Sequence, residues 1–272
     1  MLDIASAVDP DPFERFARLH EKGRPLLLFN VWDIGSATAL EQTGAAAVGT
    51  SSRSVAAASG HSDGEEMPFD RMLEMASKMC SRLSVPVTVD IETGFARNHR
   101  ELARNVDRLI ASGVVGVNIE DRDPAGDDLL EAAVQCDKLR VAREAAWRAE
   151  APLFINARSD VFFRTAATPG RLAAKSEAIE RALAYKEAGA SGVFFPGLDD
   201  ADLAADLCEV IDLPVNVMVT DVLAAKQPWI DAGVARISAG PAPYVALMDH
   251  FRSMARDWSE GAISRPHGPL RH

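Results

Sequence analysis

The sequence predicts a (β/α)8 TIM barrel with an N-terminal helix and a C-terminal helical extension. Three observations predict it. Eight short, β-rich apolar segments recur along the 272 residues. Stretches with helical spacing lie between them, and glycine repeatedly stands between the end of such a stretch and the next apolar segment. The near-continuous hydrophobicity suits parallel strands covered on both faces, not antiparallel strands wet on one. An open doubly wound sheet is the alternative, but it usually has fewer strands, and the chain carries no GxGxxG.

In chain order, a helix is expected over 12–21, before a first strand at 26–31 (LLLFNV). The other strands are 45–50 (AAAVGT), 85–92 (VPVTVDIE), 114–121 (VVGVNIED), 153–158 (LFINAR), 192–196 (GVFFP), 214–219 (PVNVMV) and 235–240 (ARISAG). Helices at 34–42, 101–111, 174–188 and 223–232 are followed by Gly44, Gly113, Gly189 and Gly233, which act as stop signals. No low-complexity linker divides the chain, so residues 1–272 read as one domain, with the barrel over about 25–240 and a C-terminal helix over about 243–260. Beyond that helix a Pro- and His-containing terminus is expected.

Composition narrows the function. A net charge of −11 argues against a nucleic-acid surface, which needs clustered positive charge. Local arginines can still serve an anionic substrate. Cys80, Cys136 and Cys208 are odd in number and form no CxxC, which suggests neither a disulfide framework nor a zinc site and fits a reducing cytoplasm. The start, MLDIASAVDPDPFERF, lacks the basic-then-apolar pattern of a signal peptide, and no apolar run approaches the roughly 20 residues that span a bilayer.

Barrels of this type carry their chemistry at the C-terminal ends of the strands, and there the sequence turns polar. Trp32-Asp33 follows the first strand and Ser51-Ser52-Arg53-Ser54 the second. The third ends in Asp90 and Glu92, the fourth in Glu120-Asp121-Arg122, and the fifth carries Asn156, Arg158 and Asp160. Asp33, Asp160 and Asp199 read as helix N-caps. A cap does not account for Asp90, Glu92 and Glu120, which lie on the central strand ends, where a bare anion is costly to bury. Positions i and i+2 of a strand share a side, so Asp90 and Glu92 should point together. Converging carboxylates without a lysine in the same motifs read as a divalent-cation site for Mg²⁺ or Mn²⁺; a salt-bridge network with Arg158 is the competing reading. Arg158 has the geometry of a clamp for a substrate carboxylate, and Glu120 or Asp121 are its internal alternatives. The turn at Ser51, Ser52 and Arg53 offers amides and hydroxyls to an oxyanion.

The motifs VDIETGF, GVNIED, INARSD and PVNVM, in this order and spacing, resemble the phosphoenolpyruvate mutase/isocitrate lyase superfamily. The likeness runs over about 25–238. It implies an α/β barrel that binds Mg²⁺ and a small 2-oxo or 2-hydroxy carboxylate and makes or breaks C–C or P–C bonds through an enolate-like intermediate. By position it makes Asp90 the principal metal ligand, with Glu92 and Glu120 acting through water. It gives Arg158 the substrate carboxylate and gives the Ser51, Ser52 and Arg53 turn the substrate oxygens, Ser52 standing where the family usually has glycine. It also places Asp63, in GHSDGEE, near the metal as a catalytic group with Ser52, and Asn216 at the substrate end of the seventh strand.

One departure stands out. The loop after the fourth strand reads Arg122-Asp123-Pro124-Ala125-Gly126-Asp127-Asp128, without the cysteine-bearing segment of the family's lyases and mutases. Cys136 falls in the following helix as a buried face residue. The expected function is therefore a Mg²⁺-dependent C–C lyase for a small di- or tricarboxylate, resembling 2-methylisocitrate lyase-like and oxaloacetate decarboxylase-like members. A P–C bond enzyme and a non-catalytic metal- and acid-binding relative are the alternatives. The resemblance further implies a homo-oligomer, tetramer or dimer of dimers, while charge and the lack of a long apolar run imply no nucleic-acid or membrane partner.

Overall fold

In the computed structural model, residues 11–260 are described except 125, 127 and 165–169. The expected C-terminal tail beyond 260 and part of the loop after Asp121 thus lie outside the described residues. The elements run α1 (Pro12–Arg18), β1 (Leu26–Leu28), β2 (Asn30–Val31), α2 (Ile34–Glu41), β3 (Val48–Thr50), α3 (Ser52–Ala58), α4 (Phe69–Arg82), β4 (Val87–Asp90) and α5 (His99–Ala111). They continue through β5 (Gly116–Glu120), α6 (Ala132–Arg148), β6 (Phe154–Arg158), α7 (Val161–Arg164), α8 (Arg171–Glu187) and β7 (Gly192–Phe195). The last are α9 (Ala201–Val210), β8 (Val215–Met218), α10 (Gln227–Asp231), β9 (Arg236–Ser238) and α11 (Ala242–Ser259).

The nine strands are ordered β1-β9-β8-β7-β6-β5-β4-β3-β2, and every pair is parallel. The segment expected as one first strand is interrupted at Phe29. Its first half pairs with β9 (Leu26 with Arg236) and its second half with β3 (Asn30 with Gly49). One interrupted strand therefore joins both edges of the sheet and makes the nine segments an eight-fold barrel, which leaves no long unpaired edge.

Two of the glycines read as helix stops, Gly113 and Gly189, take the left-handed backbone with φ of 92° and 96°. A side chain there would be strained, and the turn back into the next strand depends on it. The N-terminal end of the barrel is closed by α1. Phe16, fully buried, packs with Leu26, Leu28, Ala47, Val115 and Phe154 in a cluster of its own, and Phe154 meets its ring edge-on at 5.4 Å.

Several boundaries differ from the sequence-based expectation. The helix expected over 223–232 is only Gln227–Asp231, because Pro228 sits in its first turn and the preceding residues form a turn capped by Asp221. The third strand stops at Asp90 and not at 92, since Glu92 adopts φ 49°. The cap expected of Asp199 is made by Asp200, whose carboxylate accepts from the amides of Asp202 and Leu203. Asp33 caps α2 as expected, in a reciprocal capping box with Ser36.

Candidate active site

The C-terminal mouth of the barrel holds a cavity of about 410 Å³ lined from every side. Of the residues singled out in the sequence, Ser51, Ser52, Arg53, Asp63, Asp90, Arg122, Arg158 and Asp160 line it. Glu92, Glu120 and Asn216 are buried around it and do not.

Asp90 ends β4 with 8 % exposure, its backbone amide held by the Thr50 hydroxyl at 3.0 Å. Glu92 does not share a strand face with it, because the chain turns at residues 91–93. Instead the Glu92 amide donates to Asp90 Oδ1 at 3.0 Å, and the Glu92 carboxylate accepts the Glu65 amide at 2.8 Å. Glu65 in turn accepts from the Thr93 hydroxyl at 2.7 Å and the Phe95 amide at 2.8 Å. Glu65, Glu92 and Phe95 all have positive φ (63°, 49° and 51°), a conformation that costs non-glycine residues free energy and that this clasp holds in place.

Arg158 gathers the acids. Its Nε and Nη2 donate to the two carboxylate oxygens of Asp160 at 2.7 and 2.9 Å. Its Nη1 lies 2.7 Å from Glu120 and 3.5 Å from Asp90, and 16 % of the side chain remains exposed. Asp160, expected as a helix cap, instead turns its carboxylate to Arg158. It is itself anchored: its amide donates to Asp121 at 3.1 Å, and the fully buried Asp121 carboxylate accepts from Tyr185 at 2.8 Å and Arg181 at 3.1 Å on α8. Desolvation raises the Asp121 carboxyl, and the Ser159 hydroxyl, Tyr185 and Arg181 oppose that rise.

The electrostatics of the cluster are unbalanced. Glu92 is pushed up to about 8 by desolvation first, then by the charges of Asp63, Asp90, Glu120 and Glu65. Glu120 is also pushed up to about 8, by desolvation first, with Asp90, Asp160 and Asp63 adding to it and Arg158 opposing. Asp63, exposed at the rim, has its carboxyl raised chiefly by desolvation on the cavity side and by Asp90; Arg158, the Ser52 hydroxyl and Arg53 oppose this. Burial first, and neighbouring like charge second, raise these carboxyls, and a cation placed among them would offset both.

The turn read at residues 51–53 is the start of α3. Ser51 is its N-cap, accepting from the Ser54 amide, so the amides of Ser52 and Arg53 open the helix beside the cavity. Asn216 lies below, 1 % exposed. It belongs to an amide belt: Asn156 donates to Asn118 at 3.0 Å and to Asn216 at 3.1 Å, and Asn118 donates to Asp90 at 3.3 Å. Sequence reasoning missed Asn118 as a support of Asp90 and missed Asn30, which binds Thr50 O at 2.8 Å and takes the amides of Ala239 and Gly240. The signal was present: four strands each carry one asparagine in an otherwise apolar run. Phe163 and Phe194 in the cavity wall had no such signal. The loop after β5 is pinched by the Arg122–Leu129 bridge and by Asp123 donating to Asp128 O at 2.9 Å. Cys136 is buried on α6, away from the cavity, with its thiol raised by desolvation.

The fold and the site together define an α/β barrel with acids clustered around one arginine at its C-terminal mouth. The model of one family, phosphoenolpyruvate phosphomutase, matches residues 16–258, and the chain belongs to that family. An uncharacterized protein of Mycobacterium tuberculosis (strain ATCC 25618 / H37Rv) is 33 % identical over 90 % of this chain and 89 % of its own. The 2-methylisocitrate lyase of Escherichia coli (strain K12) is 27 % identical over 90 % of this chain and 81 % of its own. Among solved structures, a candidate phosphonomutase from Burkholderia cenocepacia J2315 has 40 % identity and a TM-score of 0.86, covering 91 % of this chain and all of that one. A phosphonopyruvate hydrolase holding oxalate and Mg²⁺ shares the fold at a TM-score of 0.82 and 21 % identity, covering 97 % of this chain and 92 % of that one. Members of the superfamily are lyases or mutases of C–C and P–C bonds.

Proposed function

We propose that the protein is a Mg²⁺-dependent carbon–carbon lyase acting on a small 2-oxo or 2-hydroxy di- or tricarboxylate, by retro-aldol cleavage or decarboxylation. The observation that carries this reading is the acid cluster: Asp90 faces the cavity while Glu92 and Glu120, just behind it, are held up to about 8. Among the described residues no three of His, Cys, Asp and Glu stand together as a complete ligand set. Mg²⁺ commonly takes one or two carboxylates directly and keeps several waters. Asp90 as the direct ligand, with Glu92 and Glu120 acting through water, fits that demand, and Mn²⁺ fits it too. What the ion supplies when bound is Lewis-acid stabilisation of negative charge growing on the substrate oxygen beside the carboxylate.

The chain's own groups divide the rest. Arg158 orients the substrate carboxylate with the guanidinium edge that faces the cavity. The Ser52 and Arg53 amides, with the Ser51 and Ser52 hydroxyls nearby, meet the developing oxyanion. Asp63 stands at the cavity with its carboxyl raised above the ordinary carboxylate range, chiefly by desolvation, which suits it to take a proton from a substrate hydroxyl in a retro-aldol cleavage. Decarboxylation needs no such acceptor and no strong proton donor at bond breaking, which suits a loop without cysteine. Asn216 supports the site from the belt beneath it. The same reading includes a cytoplasmic setting and self-association. Large apolar side chains are exposed on α11 (Leu247, Phe251 and Trp258) and on the outer side of the first strand (Leu27 and Phe29), as expected where a second copy covers them. No helix among the described residues is long and apolar enough to cross a membrane.

The test is Asp90→Ala. Mg²⁺-dependent release of pyruvate from oxaloacetate or a 2-hydroxy tricarboxylate should be abolished, with the far-UV spectrum and melting transition of the folded protein retained. Full activity in that variant would overturn the metal assignment.

A further inference from the structure

Asp63 reaches the cavity on the loop between α3 and α4. At the ends of that loop the His61 amide donates to Ala56 O at 2.9 Å, and the Met67 side chain is buried. Within it the Ser62 amide donates to Glu66 Oε2 at 3.3 Å, which sets Asp63 and Gly64 at the apex. Glu65 joins this apex to the barrel. Its amide donates to Glu92 Oε2 at 2.8 Å, and its Oε1 accepts both the Thr93 hydroxyl at 2.7 Å and the Phe95 amide at 2.8 Å. The turn it grips is fixed from behind: Asn105, buried on α5, donates to Gly94 O at 3.1 Å and to Phe95 O at 2.8 Å. Among the described residues four that are not glycine have left-handed backbone, and three of them, Glu65, Glu92 and Phe95, meet at this contact. The fourth, Glu150, follows the end of α6. Strain of this kind persists only where the surrounding structure over-determines it, and it gathers at functional sites.

We infer that Glu65 is a positioning residue: through Oε1 it latches the loop at 60–66 to the turn at 91–95 and so holds Asp63 at the cavity, by geometry and not by charge. This rests on the proposed function for the task Asp63 performs there. Both side-chain bonds fall on one oxygen, so the latch needs a lone-pair acceptor at that place and nothing more. A glutamine amide oxygen supplies one, and alanine does not. The negative charge adds instead to the repulsion that, after desolvation, raises Glu92, and Lys138 on α6 answers part of it. Without the latch Asp63 is free to swing away from the substrate hydroxyl, and a misplacement of about 1 Å costs a reaction on the order of 100-fold. Arg158 and the first amides of α3 stand on other elements, so the substrate carboxylate is held whether or not the latch is closed.

The experiment compares wild type, Glu65→Ala and Glu65→Gln by amide hydrogen exchange and by release of pyruvate from 2-methylisocitrate in Mg²⁺. In Glu65→Ala the amides at 65 and 95 should exchange about tenfold faster or more while β5 and β6 keep their protection. Its kcat should fall about 100-fold with KM within about threefold of wild type. Glu65→Gln should keep the protection, and its kcat should stay within about threefold. Wild-type protection of Phe95 in Glu65→Ala, an opened loop with undiminished kcat, or a glutamine variant that behaves like the alanine one would overturn the inference. Exchange reads the latch without substrate. If wild type releases no pyruvate while the exchange pattern stands, the retro-aldol form of the proposed function falls and the latch survives. If pyruvate is released and Glu65→Ala matches wild type in exchange and rate, the latch falls and the proposed function survives.

Discussion

At the scale of single residues, the site is a relay of charges rooted in the helix layer. Tyr185 and Arg181 on α8 hold Asp121, Asp121 holds the backbone of Asp160, Asp160 holds Arg158, and Arg158 holds Glu120 and Asp90. Each member is buried enough that losing one partner leaves the next unsatisfied. Tyr185→Phe should therefore cost about 1–3 kcal/mol in a urea unfolding experiment, more than a surface hydroxyl would. Glu120→Gln keeps the volume of the side chain and weakens its pairing with Arg158. Because the proposed part of Glu120 in holding Mg²⁺ runs through water, Mg²⁺ affinity measured by calorimetry should fall about 10–100-fold without being abolished.

At the scale of elements, α1 and α3 carry the most consequence for their size. The N-terminal end of the barrel is sealed by one ring, Phe16, with His20 of the same segment stacked on Phe154 at 4.2 Å. Burial, with the nearby Arg236 charge, lowers that histidine to about 3, so it stays neutral across the working range. Phe16→Ala should cost about 3–5 kcal/mol, read from the shift in the denaturation midpoint at constant slope. α3 begins where a loop was expected because Ser51 can cap it, and this turns a serine-rich turn into a set of aimed amides.

At the scale of the whole molecule, the acid cluster makes stability depend on pH and on divalent cation. Glu92 and Glu120 have ordinary carboxyls at 4.5 when unfolded and stand at about 8 when folded without metal. The folded state therefore binds more protons between those values, and stability is fully present below 4.5 and lost as pH rises through about 8. Metal-free protein should melt at falling temperature from pH 5 to pH 8.5. Mg²⁺ should raise the melting temperature more at the alkaline end, because binding favours the ionised carboxylates. The apolar faces on α11 and the first strand predict self-association: sedimentation should show an oligomer, and Phe251→Asp should shift it toward monomer.

Much of this was legible in the chain. The eight β-rich runs and glycine stops fixed the barrel because both periodicity and turn chemistry are local properties. The motifs around Asp90, Glu120 and Arg158 marked the mouth because strand ends in such barrels face one way. The split of the first strand at Phe29 was not legible, since it depends on which neighbours each half meets. Nor was the turn at Glu92, where a left-handed residue cancels the two-residue alternation that would have set it beside Asp90. Sequence alone determined the barrel and the group of residues at its mouth, because both follow from patterns a few residues long. Only the tertiary structure decided the partners of each acid, the amide belt beneath Asp90 and the place of Phe163 and Phe194 in the cavity wall, because these join side chains from strands and helices far apart in the chain.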